Sequence, residues 1–216
     1  MSYVEKVLQI YISRWPWFLE LIGEQLKISL IAVLIAGVLG MLLGIFIAEH
    51  RRFAEPVMAV CNVFYTIPAI ALIGLLIPLI GIGERNAIIA IVLYGIMPMV
   101  RNTYTGITNI DASTIDAALG LGSTKRQIMF RIRLPLAASV IIAGLRNVVV
   151  MSIATGSIAA FVGGGGLGEA IFRGITMYNT AMTFAGSLLL VLLALICDYS
   201  LSRLEKHIKK KWRVQA

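Results

Sequence analysis

The sequence predicts an all-α integral membrane protein with about five transmembrane helices. Of its 216 residues, 59% are hydrophobic and only 14% are charged, a balance that soluble domains do not show. Apolar stretches recur at lengths near the roughly 20 residues that an α-helix needs to cross a bilayer. We therefore expect one transmembrane domain over residues 28–205, preceded by a segment 1–27 and followed by a basic tail 206–216.

The segment 1–27 is amphipathic, and its Trp15 and Trp17 lie among charged residues. Tryptophan favours the headgroup level of a bilayer, so we expect this segment to lie on the outer membrane surface. The first span follows over residues 28–48, where Gly40 and Gly44 form a GxxxG pair. Such a pair lets another helix approach closely, either within the subunit or at a seam between two subunits.

Two prolines interrupt the second span, which covers residues 56–80. Pro68 and Pro78 each lack a backbone N–H, so we expect the helix to kink or break at both positions. Such interruptions are tolerated where neighbouring helices or a water-lined cavity satisfy the freed backbone groups. The pattern is compatible both with a helix that lines a polar path and with a purely packed kink.

The third and fourth spans, residues 86–108 and 136–162, carry polar side chains at membrane depth. A charge within a span costs ~2.5–3.5 kcal/mol on insertion scales, so Arg146 is expected to face protein or water. Polar residues and a proline from spans two to four are our candidates for lining a path. These candidates are Tyr65, Thr66, Pro68, Tyr94, Asn102, Arg146 and Asn147.

A glycine-rich segment, FVGGGGLGEAIFRG, follows the fourth span at residues 161–174. It formally contains GxGxxG, but it lacks the strand–turn–helix context that gives this dinucleotide fingerprint its meaning. We interpret it as a closely packed loop at the outer mouth of the protein, formed by Gly163, Gly164, Gly165, Gly166 and Gly168. The fifth span, residues 184–201, ends near Asp198, and basic residues follow it.

The loop of residues 109–135 contains the longest polar and basic stretch of the chain, DAALGLGSTKRQIMFRIRLP. A first short helix should close at Asp116-Ala117-Ala118 and end at the glycines that follow. A second helix can begin at Thr124, with Gln127 as its capping-box partner. We expect Pro135 to end that second helix, because proline is not accommodated in a helix interior.

The distribution of lysine and arginine predicts the orientation. Of the 19 such residues, thirteen lie on one side of the spans, five lie on the other, and Arg146 lies within a span. The positive-inside rule makes the larger group cytoplasmic, so the N-terminus should be outside and the C-terminus and loop 109–135 inside. The larger group comprises Arg51, Arg52, Arg101, Lys125, Arg126, Arg131, Arg133, Arg203, Lys206, Lys209, Lys210, Lys211 and Arg213.

The sequence offers no basis for catalysis or for nucleic-acid binding. The formal net charge of +8 is spread over short loops beside apolar spans and not over a shared soluble face. No GxxxxGK[ST] occurs, so we expect no ATP hydrolysis by this chain. Neither a metal-ligand cluster nor a serine–histidine–acid arrangement is present, and Cys61 and Cys197 fall inside spans. We therefore expect no enzyme and no cofactor in this chain.

The loop resembles the cytoplasmic EAA loop of permease subunits of bacterial ABC importers, EAA-x3-G-x9-I-x-L-P. The matching residues are Asp116, Ala117, Ala118, Gly122, Ile132, Leu134 and Pro135, with aspartate in place of the family's glutamate. The resemblance implies a type I importer permease fold, in which this loop docks as a coupling helix in a separate subunit that binds ATP. It also implies a second permease subunit, an extracytoplasmic substrate-binding protein and the bacterial inner membrane. The alternative is a generic basic loop that only maintains orientation.

Three segments narrow the resemblance to permeases for glycine betaine, carnitine and choline. They are YTIPAIALIGLLIPLIGIG at 65–83, RNTYTGI at 101–107 and FVGGGGLGEAIFRGI at 161–175. The resemblance implies import of quaternary-ammonium osmoprotectants, with substrate delivered by a separate binding protein. An amino-acid importer of the methionine type is the alternative substrate assignment. An ATP-independent channel or transporter and a non-transporting scaffold are alternatives of other classes.

Overall fold

A computed structural model describes residues 2–211 of the chain, and within these residues the regular structure is entirely helical. The prediction of an all-α fold is thereby confirmed. Three short segments of other helical type, Arg51–Phe53, Met129–Arg133 and Ala159–Val162, join or extend the α-helices. The α-helices are α1 Tyr3–Glu49, α2 Ala54–Thr66, α3 Ala69–Ile80, α4 Glu84–Thr108, α5 Ala112–Gly120, α6 Lys125–Ile128, α7 Leu134–Ile158, α8 Gly168–Thr176 and α9 Thr180–Lys211.

Among the described residues, four helical units are long and apolar enough to cross a membrane, and there are five if one bent pair counts as a single span. Four of them are single helical runs, namely α1, α4, the run Lys125–Val162 that includes α7, and α9. The fifth is the pair α2 and α3, whose axes meet at 98° across a short break. The prediction of about five spans is confirmed, and the bent pair forms the second of them.

Helix α1 is longer than the expected first span, because residues 15–49 form one uninterrupted helix. Its 47 residues correspond to roughly 70 Å at 1.5 Å per residue. Only Arg14 has non-helical angles (φ −127°, ψ 20°), two residues before Pro16, whose missing N–H weakens that turn. The segment expected on the membrane surface is therefore continuous with the first span. Its apolar side packs against α8 and α9 through Val7, Phe18 and Leu21.

The break between α2 and α3 occurs at Pro68, as expected, but Pro78 does not interrupt a helix. Ile67 is extended (ψ 130°), the conformation favoured for a residue that precedes proline, because the proline ring crowds the helical one. Pro78 lies inside α3, two residues before that helix ends at Ile80. The expectation of an interruption at Pro78 was therefore wrong, and only one backbone hydrogen bond is lost there.

The GxxxG pair of α1 packs within the subunit and not at a seam between subunits. A Cβ atom added to Gly40 would lie 2.6 Å from the Cβ of Met99, and one added to Gly44 would lie 2.5 Å from the Cβ of Thr103. Both partners belong to α4, so the two helices approach closely along this face. Helix α4 in turn packs on α7, where Gly95 contacts Val148. Helices α1, α4 and α7 thus form the core of the domain.

Pro135 does not end a helix, which corrects the expectation for the loop 109–135. It lies in the first turn of α7, and helical backbone continues from Lys125 to Val162. The segment Met129–Arg133 before it is a π-helix, in which the N–H of Leu134 bonds to the carbonyl of Met129, five residues back. This wider turn accommodates the proline, whose ring would otherwise crowd the carbonyl of residue 131.

Helix α9 also extends beyond the expected fifth span, residues 184–201. It begins at Thr180 and includes the basic residues up to Lys211. Lysine and arginine are good helix formers, so the end of the apolar stretch marks the edge of the membrane and not the end of the helix. The expected tail 206–216 is therefore helical in its first part, and residues 212–216 lie outside the described residues.

Candidate functional site

The first helix of the loop, α5, begins at an aspartate cap. The carboxylate of Asp111 accepts hydrogen bonds from the backbone N–H of Ser113 at 3.4 Å and from its hydroxyl at 2.6 Å. These bonds lower the pKa of Asp111, so the capping group is ionised at neutral pH. Asp116 and Ala117 are exposed on α5, whereas Ala118 is buried against the rest of the chain.

The turn after α5 is a Schellman motif built on Gly122. The N–H of Ser123 bonds to the carbonyl of Ala118 at 3.0 Å, and the N–H of Gly122 bonds to that of Leu119 at 2.9 Å. Gly122 has φ +79°, a left-handed angle that side-chain-bearing residues rarely adopt. The turn leaves Leu119 and Leu121 exposed, at 49% and 87% of their surfaces. Such exposed leucines in a polar loop are suited to contact another protein.

The second helix of the loop is fixed by the expected capping box. The N–H of Gln127 donates to the hydroxyl of Thr124, and the N–H of Thr124 donates to the side-chain carbonyl of Gln127 at 2.8 Å. Met129 is buried with Ala48 of α1 and Ala137 of α7, which anchors the loop to the transmembrane core. The loop is therefore held rigidly at one end of the helical core.

The three remaining residues of the expected coupling pattern lie where the loop enters the core. Ile132 belongs to the π-helical segment, and Leu134 and Pro135 begin α7. All three are half-buried, unlike the exposed Asp116. The pattern thus divides into an exposed part on α5 and an anchoring part at the start of α7.

The structure brings Tyr65 and Tyr94 together at the break between α2 and α3. Their ring centroids lie 6.3 Å apart with an interplanar angle of 61°. The Tyr94 hydroxyl donates to the carbonyl of Ile67, which the following Pro68 holds outside a helix. Thr66 turns its hydroxyl back to the carbonyl of Val63 at 2.9 Å. The break is therefore a defined aromatic site packed on α4.

Asn102 lies apart from this aromatic pair, eight residues further along α4. Its side-chain amide donates to the carbonyl of Pro98 at 2.8 Å. A Cβ atom on Gly144 would lie 2.6 Å from the Cβ of Asn102, so α7 passes directly over it. In this chain Asn102 therefore has a local packing role between α4 and α7.

Arg146 pairs with two acidic residues of α9. Its Nε lies 2.5 Å from Oδ1 of Asp198, its Nη2 lies 2.7 Å from Oδ2, and its Nη1 lies 3.5 Å from Glu205. The two-pronged geometry with Asp198 is the strong arrangement for arginine and carboxylate. Asn147, the next residue, is exposed on another side of α7. The charge within the fourth span thus faces protein, as expected from its cost in lipid.

The glycine-rich segment forms a tight turn between α7 and α8. Gly163, Gly165 and Gly166 have φ between +71° and +81°. The N–H of Gly166 donates to the carboxylate of Glu24 in α1 at 2.9 Å. A Cβ atom on Gly168 would lie 1.9 Å from the carbonyl oxygen of Ser157, so the backbones touch there.

No metal-binding group of histidine, cysteine and acidic residues occurs in the described part of the chain.

Sequence reasoning missed several residues that fix these sites. Asp198 was noted only as the end of a span, and its pairing with Arg146 across 52 residues was not foreseen. Gln25, 1% exposed, donates to Ser29 and to the carbonyl of Ile153 at 3.4 Å, and was not singled out at all. No sequence signal pointed to Gln25, because it lies beside Glu24 in the segment 1–27, before the expected first span.

Comparison with known proteins places the chain in a family of transporters. Residues 40–214 match the family described as binding-protein-dependent transport system inner membrane component. The chain is 38% identical over 215 residues to the choline transport system permease protein OpuBD of Bacillus subtilis (strain 168), covering 98% of this chain and 95% of that protein. It is 39% identical over 215 residues to the glycine betaine/carnitine/choline transport system permease protein OpuCD of the same strain, covering 98% and 94%.

Among solved structures, the MetNI methionine ABC transporter in inward-facing conformations contains a similar chain. The TM-score is 0.80 at 21% identity, with 88% of this chain and 95% of that chain covered. This likeness confirms the architecture of an ABC importer permease. A family of membrane transport components also agrees with the expectation that the chain is not an enzyme. The chain belongs to the inner-membrane components of binding-protein-dependent transport systems, the permease subunits of ABC importers.

Proposed function

We propose that this permease imports quaternary-ammonium osmoprotectants, namely glycine betaine, carnitine or choline. The observation that carries this proposal is identity of 38% and 39%, over nearly the whole chain, to two permeases named for these compounds. The segments 65–83 and 161–175, which resemble such permeases, form the α2–α3 break and the glycine turn with α8. Each segment contains an interruption of regular helix, at Ile67–Pro68 in the first and at the turn from Gly163 to Gly166 in the second, as substrate-related parts of transporter spans often do.

The aromatic pair at the α2–α3 break supports a path for cationic substrates. Quaternary ammonium groups are attracted to the faces of tyrosine rings by cation–π interaction. Tyr65 is 42% exposed in this subunit, and Tyr94 is fixed behind it by the bond to Ile67. We place the translocation path along this break, with Thr66 and Pro68 at its bend.

The other path candidates contribute less directly in this proposal. Asn147 is exposed on α7 and is available to a second subunit or to the path. Arg146 and Asn102 act through packing, because their side chains are engaged with Asp198 and with the carbonyl of Pro98. We therefore propose that Tyr65, in preference to Arg146, contacts the substrate.

The helix α5 is the part of the chain that we propose to dock in the ATPase subunit. Asp116, Leu119 and Leu121 are its exposed acidic and apolar side chains. The capped, Gly122-terminated geometry holds them rigidly relative to α7. A movement of the ATPase would therefore be transmitted to the transmembrane core through Met129 and the start of α7.

The remaining partners and the orientation follow from the family and from the charge count. We propose a second permease subunit and an extracytoplasmic binding protein, in a bacterial inner membrane. The N-terminus and the turn from Gly163 to Gly168 would then face outward, and α5 would face the cytoplasm. The binding protein would meet the side that carries α8.

Uptake into proteoliposomes tests the substrate. The permease, reconstituted with its ATPase and binding protein, should accumulate radiolabelled glycine betaine, carnitine or choline only when ATP is enclosed. Tyr65→Ala should reduce transport of these quaternary-ammonium compounds several-fold more than Tyr65→Phe, because the phenylalanine ring retains the cation–π contact with the ammonium group at roughly 0.5–2 kcal/mol. Methionine uptake in the absence of betaine, carnitine and choline uptake would support the amino-acid alternative instead.

A further inference from the structure

A cavity lies behind α5, where the loop meets the end of α1. It has a volume of about 540 Å³, within the usual range for small-ligand sites. Three cationic residues line it, Arg51, Lys125 and Arg133, against a single carboxylate, Glu49. The cavity is therefore basic, and its walls come from separate parts of the chain.

The cations of this cavity, Arg51, Lys125 and Arg133, have no ion-pair partner among residues 2–211. The Nε of Arg133 is buried and has no hydrogen-bond acceptor among the described residues. A buried donor of an arginine left without an acceptor is costly, so an anion is the expected occupant.

The other side of the cavity is apolar. Its wall includes Ala48 and Met129, which are buried in the transmembrane core, and Ile115 of α5. A soluble anion needs no such wall, whereas a phospholipid brings glycerol and acyl carbons together with its phosphate. Basic pockets beside transmembrane helices on the cytoplasmic side are a recurring site for acidic headgroups.

We propose that this cavity binds a negatively charged phosphate group, supplied by the headgroup of an anionic phospholipid of the cytoplasmic leaflet. Arg51 and Arg133 also line a second, smaller cavity of about 200 Å³, which Asp116 borders. The lipid phosphate would thus neutralise the two arginines that lie between it and the exposed carboxylate of α5. This inference rests on the orientation proposed above. The affinity for lipid is nevertheless measured in detergent, where it depends neither on which side of the membrane α5 faces nor on the substrate or its transport.

The test is a titration of the complete transporter, purified with its ATPase in detergent, with a phosphatidylglycerol that carries a fluorescent acyl chain. In the Arg51→Gln/Arg133→Gln variant the affinity should fall roughly tenfold or more, since each basic residue contributes about 1 kcal/mol to anionic-lipid binding. The matched control is Arg126→Gln/Arg131→Gln, which removes the same charge from the same segment. Those two arginines line a different surface with Phe130, so the control should retain the affinity of the unaltered protein.

Three further arms separate the sources of the anion. Unlabelled phosphatidylglycerol should displace the probe, whereas phosphatidylcholine and millimolar inorganic phosphate should not. Displacement by inorganic phosphate would assign the cavity to a soluble anion and overturn the lipid source. The Arg51→Lys/Arg133→Lys variant should bind more tightly than the glutamine pair, because the charge is retained, and this would exclude misfolding as the cause.

Two other outcomes would overturn the proposal. Equal loss of affinity in the cavity pair and in the control pair would mean that the lipid responds only to total charge. Loss of the ATPase from the cavity pair alone, with unchanged lipid affinity, would mean that carboxylates of the ATPase occupy the cavity. Failure of osmoprotectant uptake would not bear on either result, since the measurement involves no transport.

Discussion

At the scale of single residues, the ion pair between Arg146 and Asp198 is the contact that joins α7 to α9 by charge. The sequence showed that Arg146 needed a partner, because a lone charge within a span is costly. It did not identify that partner, since Asp198 is 52 residues away and resembled a boundary residue. The pairing became visible only when the packing of the two helices was known.

Removing one side of this pair should be worse than removing both. Arg146→Leu leaves Asp198 and Glu205 without their cation, and we expect lower abundance and a lower Tm. The double variant Arg146→Leu/Asp198→Leu also removes the carboxylate that is closer to Arg146, leaves only Glu205 without its cation, and should recover much of both, as for other ion pairs out of water. Abundance and Tm are measured by fluorescence-detection chromatography of heated membrane extracts. A double variant with no higher abundance or Tm than the single variant would contradict a pairing role.

The contact at Gly168 gives a second prediction at this scale. In Gly168→Ala the new methyl group would lie 1.9 Å from the carbonyl oxygen of Ser157, so the turn and α8 must shift. We expect destabilisation of about 1–3 kcal/mol, the usual cost of overpacking. Gly23→Ala is the matched control, because nothing lies within 4 Å of its added Cβ, and its thermal stability should be unchanged or slightly higher. Equal stability of the two variants would contradict the close packing of the turn.

At the scale of elements, sequence patterns predicted helix beginnings better than helix ends. The capping box at Thr124 is a local signal that depends on two side chains, and it is present as expected. The helix end expected at Pro135 was wrong, because a π-helical segment accommodates the proline. The fifth span was expected to end near residue 201, and basic residues continue the helix α9 beyond that point. The end of a helix depends on packing and on local backbone geometry, which cannot be read from amino-acid composition.

The α5 turn tests whether the coupling geometry depends on one backbone angle. Gly122 has φ +79°, and nothing lies within 4 Å of an added Cβ atom. The alanine of Gly122→Ala therefore makes no clash, and its only cost is the backbone strain of the left-handed conformation, about 1–2 kcal/mol. Gly120, two residues earlier, also has free space but no such angle. We expect Gly122→Ala to weaken copurification of the ATPase and substrate-stimulated ATP hydrolysis, and Gly120→Ala to leave both near normal. Equal ATPase recovery with the two variants would contradict a role for the turn in coupling.

At the scale of the whole molecule, the fold class was predictable because membrane spans are encoded by local hydropathy. The number of spans and the position of the loop between α4 and α7 needed no tertiary information. The packing of α1 on α4 through Gly40 and Gly44 was not decided by the sequence, since a GxxxG face serves contacts within and between subunits equally well. The basic cavity behind α5 likewise required the structure, because Arg51 is distant in sequence from Lys125 and Arg133.

The orientation of the molecule is the last prediction, and it governs every functional assignment made above. The span assignment made from the sequence puts thirteen of the 19 basic residues on the same side as α5, and retention of positive charge in the cytoplasm should place that side inside. In a background with Cys61 and Cys197 replaced by serine, Met177→Cys should react in intact cells with an impermeant maleimide, whereas Leu121→Cys should react only after permeabilisation. Both positions are well exposed, at 69% and 87%, so access to the thiol and not burial decides labelling. If only Leu121→Cys were labelled in intact cells, the topology would be the reverse of the one proposed. Helix α5 would then lie outside, away from a cytoplasmic ATPase, and the coupling proposal would lose its physical basis.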